Sequence, residues 1–133
     1  MKTNLDVYFK TNETTEKGGE WCEIAPGVRF LIARLGGVNA DRIKKANAQF
    51  FKPHARRIQN GSLPVKEEQK ILARVFVEVS LLGWEGVLDD NDQPLEFSKD
   101  NAVNLLVELP ELFGKLTEFS QDVENYKSDL GNY

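Results

Sequence analysis

Three features of the chain carry side chains that could do chemistry: the single histidine His54, the single cysteine Cys22, and the run Asp89-Asp90-Asn91-Asp92. A nucleophile triad needs the histidine within reach of Cys22 or a serine, with a carboxylate behind it. His54 lies instead among Lys52, Arg56 and Arg57, and no such set is visible. It reads as a surface histidine, and Cys22 as a small buried hydrophobe. A calcium loop needs oxygen ligands at alternate positions, a central glycine and a glutamate at position twelve. Counted from Asp90, Leu95 falls at position six and Asn101 at position twelve. The run therefore reads as a polar turn, whose short side chains bond their own backbone. The chain has no phosphate-cradling glycine loop and no histidine or cysteine metal cluster. The expectation is a protein that is not an enzyme, with no catalytic residue, cofactor or metal.

What remains is surface for binding. Arg42, Lys44, Lys45, Lys52, Arg56 and Arg57 crowd one segment. A basic helix can bind nucleic acid, or it can guide an acidic partner. The overall acidity of the chain and the lack of a reader motif weigh against nucleic acid. Further on, Leu112, Leu116, Phe119, Val123 and Tyr126 recur at four, three, four and three, and Leu130 continues the series. This is the 3.5-residue period of a coiled-coil seam. It reads either as core packing or as a seam open to a partner helix. The candidate partner-binding residues are thus Leu112, Leu116, Phe119, Val123 and Tyr126, with Arg42, Lys45, Lys52 and Arg56 on the basic face.

The elements that position these residues are mostly helical. The strongest is Lys66–Leu82, where Ile71, Leu72, Val75, Phe76, Val79 and Leu82 share one side. Pro64 suits its first turn and Gly83 its end. Trp84 is expected to be largely buried, packed near that end. Before this helix, Glu20–Ala25 and Val28–Arg34 read as a β-hairpin turning at Pro26-Gly27. Cys22, Ile24, Phe30 and Ile32 would share its buried face. Asn39 is a candidate cap for a helix over Ala40–Phe51. Pro53 interrupts that helix, and a short one follows from His54 to Gln59. Ser98 would cap a helix through Leu109, with Ala102, Leu105, Leu106 and Leu109 inward. Pro110 would open the next. Residues 1–19 read as a flexible N-terminal segment, with a candidate edge strand in which Leu5, Val7 and Phe9 alternate. The reading is α+β: a mainly α-helical single domain over residues 20–130, with a small N-terminal β-hairpin.

Its 133 residues suit one domain, and 41% hydrophobic residues argue against disorder. A lone cysteine excludes an internal disulfide, and no signal peptide is visible, which suggests a reducing compartment. The longest apolar runs fall far short of the roughly 20 residues that cross a bilayer. Residues 1–84 hold 14 Lys and Arg against 9 Asp and Glu, while residues 85–133 hold 3 against 12. Such asymmetry can steer a partner or align copies head to tail.

The run LLGWEGVLDDNDQPLEFSKDNAVNLLVELPEL resembles the tail assembly chaperones of long-tailed (lambda-like) bacteriophages. The resemblance lies in Gly83-Trp84 after an amphipathic helix, the Asp89–Asp92 turn, Pro94, Leu95, Phe97 and Ser98, and a helix ending at Leu109-Pro110. The earlier run WCEIAPGVRFLIARLGGVNADRIKKANAQFFKP is similar to the family's N-terminal half. The chain departs from the pattern in its acidic turn, which lacks the family's glycine and has Gln93 before Pro94. The resemblance implies a host-cytoplasmic protein that binds the tape-measure protein, keeps it soluble, and helps bring tail-tube subunits to it. It also implies self-association, and a frameshift-extended form that carries a tube-binding domain beyond Leu130. The alternatives are a structural tail or connector protein retained in the virion, or a basic-helix nucleic-acid module.

Overall fold

The computed structural model describes residues 1–128. Thus Leu130, the last position of the heptad series, and the junction expected for an extended form lie outside the described residues. The first strand, β1 (Glu20–Ala25), and the second, β2 (Val28–Ile32), form the expected antiparallel hairpin. Gly27 takes φ +76° in its turn, a conformation that costs glycine little. Cys22, Phe30 and Ile32 are buried on one face, as the alternation requires. Two helices, α3 (Ala40–Phe50) and α4 (Ala55–Gln59), follow, separated by a 3-10 turn holding Pro53.

The central helix, α5, runs Val65–Val79, and so stops earlier than its apolar pattern implies. Leu81–Glu85 forms a third strand, β3, pairing antiparallel with β2 in the order β1-β2-β3. Leu82 and Gly83 are therefore strand residues, and Gly83 does not stop the helix. The stop is at Ser80, whose N–H still bonds Phe76 while its carbonyl accepts from Ala33 at 2.7 Å. That second bond leads the chain into the sheet. The period of α5 is read correctly for Ile71, Val75, Phe76 and Val79, but Leu72 is 46% exposed. Two neighbours share this helix. Ala73, Phe76 and Val77 face the sheet and the later helices, while Val75 and Val79 face Ala46 of α3. Leu72 belongs to neither cluster.

Trp84 is largely enclosed, though short of full burial. It stands edge-on to Phe30 at 6.0 Å and to Phe97 at 4.9 Å, and its indole N–H donates to the Leu95 carbonyl at 2.8 Å. The return is therefore clamped under the sheet edge, with Leu88 bridging Pro94. In the acidic turn, Asp89 Oδ1 accepts from the N–H groups of Asn91 and Gln93. Asp92 takes the left-handed conformation at φ 56°, the position where a glycine would be at ease.

Helix α6 (Lys99–Glu108) is capped by Ser98, whose Oγ accepts from Asn101 N–H at 3.0 Å. Ala102, Val103 and Leu106 are buried, while Leu109 is 46% exposed because the helix has already ended. Pro110 opens α7 (Pro110–Gln121).

The N-terminal segment forms no edge strand. Asp6–Phe9 makes a one-turn helix, α1, whose Leu5, Val7 and Phe9 stay exposed because no sheet edge receives them. A second helix, α2 (Glu13–Gly18), is capped by the Asn12 side chain. Its Glu16 is only 1% exposed and is paired with Arg34. Asn39 is not a side-chain cap for α3. It is buried, and its Nδ2 donates to the carbonyls of Glu16 at 2.9 Å and Arg34 at 2.8 Å. A local capping rule lost here to a tertiary contact.

Candidate functional site

The C-terminal stripe lies within the domain. Leu116 and Tyr126 have no exposure, and Leu112, Phe119 and Val123 are half-buried. The expected continuous seam is also broken. Helix α7 ends at Gln121, and Val123–Tyr126 is a 3-10 turn capped by Asp122, whose Oδ1 accepts from Glu124 N–H. Tyr126 then turns inward, and its hydroxyl donates to the Ile32 carbonyl at 2.9 Å. Burial pushes that phenol above its ordinary pKa. Leu116 packs in the core with Phe30 and Ile32 and Tyr126 bonds the sheet, so these two offer a partner nothing in this conformation.

The basic residues are accessible, but the fold divides them. Arg42 and Lys45 line a cleft between α3 and α5 with Glu78 and Val79, and Arg42 Nη2 donates to the Glu78 carbonyl at 3.2 Å. Lys52 and Arg56 stand exposed where α3 gives way to α4. Beside them is a shallow apolar depression floored by Ala48, Phe51, Ala55 and Ile58. Of α3 only Ala46 is buried, and α4 buries nothing. Segment 42–59 contains six cations and no acid. Among the described residues, Lys44, Lys45, Lys52 and Arg56 form no ion pair, while Arg57 reaches Glu67 at 3.2 Å.

The apolar floor escaped the sequence reading. Its signal is the spacing of Ala48, Phe51, Ala55 and Ile58, which recur at three, four and three. Pro53 hides the pattern by dividing the segment, yet the two pieces keep one apolar face aligned through the intervening turn.

The outer face of the sheet is organised differently. Arg29 lies 4.1 Å from the ring centroid of Trp21 and pairs with Glu85 at 2.7 Å. That guanidinium holds the Glu85 carboxyl below its ordinary range. Its cation is thus already satisfied, unlike those beside Phe51.

Cys22 is buried, and burial pushes its thiol up, away from the reactive thiolate. His54 sits in the 3-10 turn before α4. Among the described residues, no group of three His, Cys, Asp or Glu side chains could hold a metal ion. No helix among them is long and apolar enough to cross a membrane.

A family model described as YdaY prophage protein matches residues 38–130. The match takes in the α3–α4 face, α5, β3 and the run from Leu81 to Leu112, and it starts after the β1–β2 hairpin. No curated protein and no solved structure matches the chain.

Proposed function

The chain belongs to the YdaY prophage protein family, and from that premise we propose that it is a phage tail assembly chaperone. In this reading it binds the tape-measure protein, keeps it soluble, and helps recruit tail-tube subunits during tail morphogenesis. It works in the host cytoplasm, and tube recruitment runs through a frameshift-extended form. The observation that carries the reading is the Gly83–Pro110 stretch, in which the residues resembling the chaperones hold structural positions. Trp84 clamps Leu95, Ser98 caps α6, and Pro110 opens α7.

The physical requirement is simple. A tape-measure chain is long and helical, and its apolar seams aggregate unless covered. Helix-in-groove recognition covers such a seam with an apolar floor that receives residues one helical turn apart. The α3–α4 face supplies such a floor, and among the described residues no ion pair competes for Lys52 or Arg56.

The competing reading is a tail or connector protein that remains in the particle. Inducing the prophage and comparing the lysate with purified virions by quantitative mass spectrometry separates the two. A chaperone is abundant in the lysate and absent from virions, and its deletion leaves heads without tails. Retention in purified virions at a fixed copy number would mean a structural protein.

A further inference from the structure

We propose that the α3–α4 face is a docking site for an acidic amphipathic helix, with Ile58 and Phe51 receiving its apolar stripe and Lys52 and Arg56 receiving its flanking carboxylates. The proposal rests on the chaperone reading only for the identity of the natural partner.

Three observations carry the chemistry of the occupant. The first is shape. Ala48, Phe51, Ala55 and Ile58 line one shallow depression, and the two alanines keep it low enough for larger side chains to enter between Phe51 and Ile58. The second is charge. Segment 42–59 holds six cations and no acid; of these Arg57 is paired with Glu67 of the next helix, and Lys44, four residues before Ala48, lies on the same helical face as the floor. The third is what the fold leaves uncovered. Ile58 is 38% exposed and α4 has no buried residue, while Phe51 packs partly against Val75 and Val79 and leaves the rest of its ring at the surface. A helix bearing leucines at three- and four-residue spacing, flanked by Asp and Glu, answers all three. Phosphate chains do not, because they would set charged oxygens over an apolar floor.

The test uses the whole chain with two synthetic helical peptides. Both carry the same leucine stripe, flanked by Glu in one and by Lys in the other. Affinity is read by fluorescence anisotropy, and the site by backbone amide shifts. The acidic peptide is expected to bind at least roughly tenfold more tightly, with its advantage shrinking as salt rises. Shifts should centre on Ala48, Phe51 and Ile58. Ile58→Asp should abolish binding, and Lys52→Glu with Arg56→Glu should reverse the preference towards the Lys peptide. All three side chains are exposed, so unchanged thermal unfolding certifies the variants.

Equal affinity for the two peptides, or shifts centred on the sheet, would overturn the proposal. So would DNA or RNA binding this face more tightly than the acidic peptide. Salt-sensitive multimers that Ile58→Asp converts to monomers would also overturn it, by making a second copy the occupant. Failure here is distinguishable from failure of the chaperone reading. Should Ile58→Asp still solubilise the tape-measure protein, the chaperone reading stands and this site is wrong. Should peptides bind as expected while the tape-measure protein is ignored, the site stands and its natural partner is another acidic helix.

Discussion

The Tyr126 hydroxyl donates to the Ile32 carbonyl at 2.9 Å across 94 residues of sequence, joining the last described turn to the end of the second strand. Neither atom meets solvent, so losing the donor leaves a buried carbonyl without that partner. Tyr126→Phe should destabilise the domain by about 1–3 kcal/mol, measured by urea unfolding, with little change in the slope against denaturant.

The same bond sets an alkaline limit. Burial raises the folded-state pKa of Tyr126 above the roughly 10 of an unfolded tyrosine. Above that pH the unfolded chain loses a proton that the folded chain keeps, so stability falls as pH rises. The contribution is fully present below about pH 10 and lost progressively above it. Thermal unfolding followed from about pH 9 to about pH 11, across the onset of that loss, should fall more steeply for the wild type than for Tyr126→Phe. Parallel curves would mean that the phenol is solvated.

Glu16 and Arg34 tie the N-terminal helix α2 to the exit of β2, and the Arg34 N–H adds a bond to the Glu16 carbonyl at 2.9 Å. Glu16 is buried while Arg34 keeps 23% side-chain exposure, so removing the carboxylate forfeits its charged hydrogen bonds without stranding a buried cation, at a cost of about 1.5–3 kcal/mol. Glu16→Ala should therefore destabilise strongly, and hydrogen exchange should show Arg34 and Gly19 amides losing protection. Exchange unchanged from the wild type would mean that α2 is held by other contacts. Gly37 must stay small, because a Cβ there would run into the carboxylate of Glu16 and the guanidinium of Arg34.

Two turn positions should respond in opposite directions. Gly86 has φ +81°, and a Cβ on it would collide with the Gly27 carbonyl. Gly86→Ala should cost more than about 1 kcal/mol. Asp92 already occupies a left-handed conformation that glycine adopts freely, so Asp92→Gly should be neutral or stabilising by up to about 1 kcal/mol. Thermal melts of the two variants provide the check. A stabilising Gly86→Ala would contradict the described approach of the two turns.

The legible parts of the fold were those set by local chemistry. The hairpin at Pro26-Gly27, the Ser98 cap, the Pro110 helix start and the core side of α5 all follow from spacing and turn residues. The missed parts were set by distant contacts. Leu81–Glu85 looks like a helix end, and becomes a strand only because β2 offers it a partner edge. Asn39 looks like a cap, and is spent instead on the carbonyls of Glu16 and Arg34. The heptad from Leu112 to Tyr126 was visible, but whether it faced inward depended on Ile32, far away in sequence. At the candidate site the cations were legible as a cluster. The floor they surround was not, because Pro53 interrupts the period that Ala48, Phe51, Ala55 and Ile58 share.

The central claim is that this prophage protein keeps a tape-measure chain in solution, and one measurement meets it directly. The tape-measure protein encoded by the same prophage is expressed alone and with this chain, and its soluble fraction is quantified after high-speed sedimentation. The account predicts that it pellets when expressed alone and moves to the supernatant with the chain, co-eluting with it on size exclusion. A tape-measure protein that pellets equally in both cases, with this chain left free in the supernatant, would contradict the account.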